Sequence, residues 1–564
     1  MISFKNNSSI NLIDKWKSFT KVYPPFVFVI GVIGAFICHG AMLFSDVIGL
    51  DMDLMIKDIE LYGGQGRQGI LWIRNILQIA KCNLYLTESL TFLFLILSAV
   101  AVLFFLHIFS EQEKEKPIVG ALFMLIWIVS PFWTVQLYFL SQSVPVLVAT
   151  ILIPVAVLLV QLTYENFKKR WWMAVCAVAL MQLIFSTYQI EILLYVLLVV
   201  VALYLLTANN SFKFIDVLKW VLFQAAVFFV GFVIYRVIYK LFFNEFDDYL
   251  SGQIMWAVYG TKNSVKNILR VVRDSIKGGD FYNITYVPVC LLLFATSLIN
   301  MSAKKRTNAE KIIRALMLIV IFAVPYTFVI LCGVDVVPRM KYLFAIVEAI
   351  CIYLLASEFI SLWREGIITK KKVTRVIAIA MTAILCLFFA KDIINNADYS
   401  NRLYYTEKFV YEHDKEIARK IQNDLKDYIR SEGLSNEQSY NRLVFLGTVP
   451  TQLNEICVTD NGAAMGVSFW VWGANYSFVR DRIYKFMDCC GYSIGHEAMY
   501  SEGAELFYHL SFADFYGEEV ESMPSYPTEG YIKNIYDEEL NVNFLVVKLG
   551  RDWRREIDAW NWSN

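Results

Sequence analysis

LYLTESLTFLFLILSAVAVLFFLHIF, residues 84–109, carries no ionisable group near neutral pH apart from Glu88 and His107. As a helix rising 1.5 Å per residue it exceeds the roughly 30 Å hydrocarbon core of a bilayer, which roughly 20 apolar residues cross. Comparable runs recur at 26–45, 118–132, 144–163, 171–187, 190–207, 218–243, 284–301, 313–332, 341–362 and 373–391. The chain is therefore expected to cross a membrane about eleven times. The runs at 118–132 and 171–187 are short, and each borders a brief turn, so they are open to packing as hairpins or partly re-entrant segments. Composition agrees: 57% of residues are hydrophobic, only 18% are charged, and the mean hydropathy is +0.49. A soluble chain carries nearer about a quarter charged residues.

The formal charge balances at zero and says nothing about partners, but its distribution does. Segments 1–25, 110–117, 164–170, 208–217, 302–312 and 363–372 include the runs Lys168-Lys169-Arg170, Lys304-Lys305-Arg306 and Lys370-Lys371-Lys372, whereas 133–143 and 188–189 contain neither Lys nor Arg. Positive residues stay inside, so the N-terminus is expected in the cytoplasm. An odd number of spans then puts everything after about residue 392 outside. The apolar run from Phe26 to Phe44 is too long for the core of a cleaved signal and reads as a retained span.

Two long outer loops, 46–83 and 244–283, break the charge trend. In the first, Arg67, Arg74 and Lys81 recur every seven residues, with Ile70, Ile73, Leu77 and Ala80 on the other face. In the second, Lys262, Lys266, Arg270, Arg273 and Lys277 form one helical stripe opposite Val265, Ile268, Val272 and Ile276. Both patterns suit helices lying in the interface with basic faces toward anionic headgroups. Ordinary surface helices of an outer subdomain are the plainer reading.

Residues 1–392 thus form the transmembrane part, and 393–564 read as a soluble α/β domain. There, 403–430 has the pattern of an amphipathic helix, Arg442–Gly447 and Val542–Leu549 of strands, and Phe478–Met487 of a further helix; the stretch around Pro524 and Pro527 reads as loop. This C-terminal domain holds no GxGxxG motif, no P-loop and no internal repeat, so it carries no nucleotide-binding signal. Of ten cysteines most lie in apolar runs, none forms a CxxC pair, and Cys457, Cys489 and Cys490 leave room for one disulfide at most.

Candidate chemistry gathers at the expected outer ends. Asp51 and Asp53, with Lys57, Asp58 and Glu60, precede Gly63-Gly64-Gln65-Gly66-Arg67-Gln68-Gly69. A carboxylate at the water–lipid boundary can take a proton from an attacking hydroxyl, and glycines let backbone approach a ligand. An acidic loop can equally be merely solvated. Further outer turns hold Ser130-Pro131-Phe132-Trp133 with Gln136, Tyr138 and Ser141, then Ser186-Thr187-Tyr188-Gln189 with Glu191 just inside the next span. An ionisable residue there faces the bundle interior or the interface. Arg236 and Lys240 share a helix face, and Arg339 and Lys341 stand at the entry to the tenth span; either pair suits a phosphate, or snorkels to headgroups.

Taken in order, the acidic loop, Gly66-Arg67, Pro131-Phe132 and Tyr188-Gln189 over residues 26–400 resemble the bacterial glucosyl transferase family of the GT-C fold. That family includes the O-antigen-modifying glucosyltransferases of serotype-converting phages. The resemblance implies a polytopic α-helical, GT-C-like enzyme of the bacterial cytoplasmic membrane with an extracytoplasmic C-terminal α/β domain. It also implies a polyprenyl-phosphate-linked sugar donor, a cell-surface glycan acceptor, an inverting displacement and either Asp51 or Asp53 as base. Arg67, Tyr188, Gln189, Glu191, Arg236, Lys240, Arg339 and Lys341 would then bind substrate and phosphate. No nucleic-acid partner is expected. No ligand set for a metal is complete, although Asp51 and Asp53 leave a divalent cation open. The alternatives are a transporter or flippase of lipid-linked sugars and a membrane-anchored sensor. The first predicts inverted halves with broken helices, and no such symmetry is evident; for the second, so many spans are more than an anchor needs.

Overall fold

The computed structural model describes residues 11–49, 52, 66–79, 83–110, 116–208, 212–242, 254–433, 442–460, 465–472, 481–492, 512–538 and 542–553. The chain divides into two compact units, one of Met1–Phe44 and Ile59–Asn401, the other of Ser45–Asp58 and Arg402–Asn564.

The first unit is helical. Its elements are α1 (Leu12–Val22), α2 (Pro25–His39), α3 (Gln68–Ile76), α4 (Leu84–Phe109), α5 (Pro117–Ile128), α6 (Pro131–Tyr138), α7 (Leu140–Glu165) and α8 (Phe167–Phe185). They continue through α9 (Ile190–Ala208), α10 (Phe214–Phe242), α11 (Trp256–Lys277), α12 (Tyr286–Ala303), α13 (Asn308–Cys332), α14 (Leu343–Arg364) and α15 (Lys372–Ser431). Local chemistry sets many starts. Proline stands in the first turn of α2, α5 and α6, where its missing N–H costs nothing. The Asn83 side chain accepts from Leu86 N at the start of α4, and Thr307 and Glu310 form a reciprocal capping box on α13.

Among the described residues nine helices are long and apolar enough to cross a membrane, or ten if α5 and α6 count as one bent span. The difference from the expected eleven lies at its two short runs. At 118–132 the chain bends by 49° between α5 and α6, because Pro131 holds Ser130 extended at φ −117°, ψ 131°. At 171–187 the helix is α8, whose first turn carries Lys168, Lys169 and Arg170 and leaves too short an apolar window.

Helices α4, α7, α9 and α14 bury most of their residues and form the core, whereas α10 and the apolar start of α15 are largely uncovered. On α10, Leu222, Phe229, Val233, Val237 and Leu241 are all exposed. A continuous apolar surface of this kind suits lipid rather than water. The chain is a mostly helical polytopic membrane protein.

Polar ties cross this core. Arg314 of α13 pairs with Glu358 of α14, both buried, and its guanidinium lies 4.0 Å from the centre of the Tyr204 ring of α9. Tyr204 Oη donates to Glu358 at 2.7 Å, and Asn300 of α12 donates to the other carboxylate oxygen. Four helices therefore meet on one carboxylate.

The second unit contains the C-terminal part of α15, then β1 (Arg442–Leu446), α16 (Phe469–Trp472), α17 (Asp481–Cys489), α18 (Phe512–Ser522), β2 (Ile532–Asp537) and β3 (Val542–Lys548). The sheet order is β1-β3-β2, with β1 parallel and β2 antiparallel to β3. The strands at 442 and 542 stand where the alternation of the sequence puts them, while the IKNIYD sequence of β2 interrupts that alternation and gives no strand pattern. Ile417, Ile421 and Leu425 of α15 are buried; Asp414 accepts from Ser468 Oγ at 2.6 Å and Phe469 N at 2.8 Å. Cys457 and Cys490 form no disulfide. The apolar run at 373–391 and the amphipathic run at 403–430, read as separate elements, belong to one helix of 60 residues. No Gly or Pro occurs between Lys372 and Ser431 to break it.

Removing one member of the buried pair leaves the other charge stranded. Glu358→Leu is expected to cost about 3–5 kcal/mol, and Arg314→Met in the same chain to restore most of it. Melting temperatures of the two variants in detergent check this, and an equal loss in both would contradict it.

Candidate substrate site

The turn Gly66–Gly69 that opens α3 is seated against the turn between α8 and α9. Gly69 N donates to Ser186 O at 2.8 Å. A Cβ on Gly69 would stand 2.6 Å from both Ser186 Oγ and Thr187 Oγ1 and 2.7 Å from Leu183 O. Only glycine permits this approach, and the approach delivers Arg67. Its guanidinium sits 4.9 Å from the centre of the Tyr188 ring and its Nε donates to Gln189 Oε1 at 3.3 Å. From the other side Tyr235 Oη of α10 donates to Gly66 O at 3.1 Å.

Glu191, in the first turn of α9, is fully buried. Thr150 Oγ1 of α7 and Tyr342 Oη both donate to its Oε1, at 3.0 Å and 2.7 Å. Tyr342 also stacks on Trp133 of α6 with ring centres 4.7 Å apart, and Trp127 lies 6.3 Å away from Trp133 at a similar tilt. Among the described residues Glu191 Oε2 and Trp133 Nε1 are buried with no partner, and so are both ends of the amide of Gln136, one turn along α6 from Trp133. Native interiors pair almost every buried polar group, so these atoms, like the Gln224 amide and Tyr195 Oη elsewhere in the bundle, are open to a ligand.

The structure thus brings together Arg67, Tyr188, Gln189 and Glu191, and adds Thr150, Trp133, Gln136 and Tyr342. Trp133 and Gln136 stand in a turn the sequence singles out. Thr150 and Tyr342 are lone polar residues in or beside apolar runs and become recognisable only through Glu191. Arg339 is half-buried, its guanidinium 4.2 Å from the Phe139 ring centre at the end of α6. Lys341 is buried and ion-paired with Asp335, so its charge is already balanced. Arg236 and Lys240 are exposed on α10, whose Tyr235 and Tyr239 are the buried neighbours of Gly66. Asp51, Asp53, Lys57, Asp58, Glu60 and Lys81 lie outside the described residues.

The basic helix is α11, bent at Gly260 where φ is +70°. Lys262, Lys266, Arg270, Arg273 and Lys277 are all exposed, and Arg273 pairs with Asp274 at 2.7 Å. The expected apolar face is split. Val265 and Ile276, with Val258 and Leu269, are exposed, while Ser264, Val271 and Ser275 are buried. Ser275 shares a 2.6 Å hydrogen bond with Tyr326 of α13. Among the described residues no three His, Cys, Asp or Glu side chains converge to hold a metal ion.

Gly69→Ala must push the 183–187 turn away from α3. We expect it to lower stability by about 1–3 kcal/mol, the usual cost of overpacking, read as a fall in melting temperature. An unchanged melting temperature would contradict the close approach.

The family model described as glucosyl transferase GtrII matches residues 40–388, more than half of the chain and nearly all of the helical unit. No curated protein and no solved structure matches the chain. A family match of this extent, on a chain of long apolar helices, places the protein in the GtrII glucosyl transferase family.

Proposed function

We propose that this glucosyltransferase takes glucose from a polyprenyl-phosphate donor on the outer face of the bacterial cytoplasmic membrane and transfers it, with inversion, to a cell-surface glycan. The observation that carries this reading is the meeting of three features at one end of the bundle. They are an arginine held on Tyr188, a buried carboxylate with an unpaired oxygen, and a lipid-facing helix, α10, that touches Gly66. A lipid-linked sugar needs all three: an apolar face for its tail, a cation for its phosphate, and hydrogen-bonding groups for its hydroxyls.

In the proposed step, Asp51 or Asp53 takes the proton from the acceptor hydroxyl. The oxygen forms its bond to the anomeric carbon as the bond from that carbon to the phosphate oxygen breaks. The electron pair leaves on the polyprenyl phosphate, whose charge Arg67 stabilises, and inversion follows from the in-line displacement. Glu191 Oε2, Trp133 Nε1 and the Gln136 amide offer acceptors and donors together. That mixture suits hydroxyls better than a phosphate, which only accepts and which a carboxylate repels. The basic stripe of α11 is assigned to anionic headgroups. The N-terminus is assigned to the cytoplasm, and the C-terminal unit to the outside, where the acceptor arrives.

Two measurements test this. Protein in lipid nanodiscs, given polyprenyl-phosphate-glucose and a host glycan fragment, is expected to transfer glucose. Asp51→Asn or Asp53→Asn should lower the rate by about 10²–10⁴, and full activity in both would remove the assigned base. For orientation, alkaline phosphatase fused after Asp280 should be active and after Lys305 inactive; the reverse pattern would overturn the topology.

A further inference from the structure

Thr285, at the start of α12, has a single hydroxyl proton, yet its Oγ1 lies 2.7 Å from Glu348 Oε1 and 2.6 Å from Asp392 Oδ2. All three residues are buried. A hydroxyl donates once, so one of these contacts must be a hydrogen bond that Thr285 receives, and one carboxyl must carry the proton.

The surrounding bonds decide which. Backbone N–H groups of Ile284 and Thr285 donate to Asp392 Oδ1 at 3.4 Å and Oδ2 at 3.1 Å. Both Asp392 oxygens are therefore acceptors, at a helix N-terminus that favours negative charge. At the other end the Val129 carbonyl takes one N–H of the Asn396 amide, at 2.8 Å, and Asn283 Oδ1 takes the other, also at 2.8 Å. Asn283 must then present its amide N–H to Glu348 Oε2, as it does at 2.7 Å. That leaves Glu348 Oε1. No lysine, arginine or histidine pairs with either carboxyl among the described residues.

We propose that Glu348 is a protonated positioning residue, whose Oε1–H donates to Thr285 so that Thr285 can donate to Asp392. The bonds then run in one direction from Asn396 through Asn283, Glu348 and Thr285 to Asp392, joining α12, α14 and α15. The turn they hold supplies Phe281 and Tyr282, each with its ring centre 5.3 Å from that of Phe132. Phe132 immediately precedes Trp133, so this proton braces the wall of the candidate site. Removing it would set two buried anions on one hydroxyl and release the turn. The other ionisable side chains around Glu348 are Tyr286 and Cys290 of α12 and Cys351 of α14, besides Asp392.

Glutamine reproduces a protonated glutamate, so conservative variants of the intact protein in nanodiscs test the assignment. Infrared spectra at neutral pH should show a buried carboxylic C=O band that is lost in Glu348→Gln. Glu348→Gln should keep its melting temperature and, if the donor assignment above is right, its transfer rate within about twofold, since the bond pattern survives. It should also remove the fall in stability that the wild type shows as pH rises. The sign follows from linkage: a folded state that keeps a proton the unfolded chain has released loses stability with rising pH. Asp392→Asn, which cannot accept from both backbone N–H groups and Thr285 as a carboxylate does, should melt markedly lower. The proposal is overturned if Glu348→Gln removes no component of the carboxylic band, or if that variant melts as low as Asp392→Asn. The infrared and melting readings need no substrate, so failure of the donor assignment alone would leave them standing.

Discussion

Hydrocarbon offers no hydrogen-bond partner, and each unpaired peptide group buried in it costs several kcal/mol. The rest of this molecule depends on that constraint. It makes every long apolar run a helix. It also turns many polar side chains inside the bundle into ties, where the partner comes from another helix. Trp220 donates to Gln161 at 2.6 Å, Trp127 to Ser98 at 3.1 Å, and Arg314, Glu358, Tyr204 and Asn300 close on one another. Between apolar helices in lipid there is no hydrophobic drive to choose one register over another. These ties choose it.

Against that background stand the unpaired atoms of Glu191, Trp133 and Gln136. Thr150, Tyr342 and the stacked aromatic rings hold Glu191 and Trp133 in place and leave these atoms unsatisfied, as a number of other buried polar atoms of the bundle are, the Gln224 amide and Tyr195 Oη among them. Violations of local consistency tend to sit where function requires them. The family match supplies glucosyl transfer as the activity, and a hydroxyl-rich ligand is the natural complement of such atoms. The helix that carries Trp133 and Gln136 is short and begins at the bend after α5, so its position rests on neighbours rather than on its own length. Two of those neighbours, Phe281 and Tyr282, are held in turn by the Glu348 chain.

The sequence by itself determined the solvent and the class of fold, because spanning a membrane is a matter of local length and polarity. Residues 84–109, 144–163 and 190–207 needed no tertiary information to be read as membrane helices. The Gly66-Arg67 and Tyr188-Gln189 elements were singled out in the sequence by their order and by the family resemblance, and the structure brings them together. What the sequence could not supply was any relation between distant residues. The partners of Glu191 stand 41 and 151 positions away along the chain. The bend at Pro131 and the unbroken run of α15 through two differently patterned stretches also depend on packing. Most telling, Glu348 and Asp392 are ionisable residues in or next to apolar runs, and nothing near them in sequence explains how they are tolerated. Only the tertiary structure decides it, because a buried carboxyl is stabilised by groups brought to it through space, here two backbone amides, one hydroxyl and two asparagines.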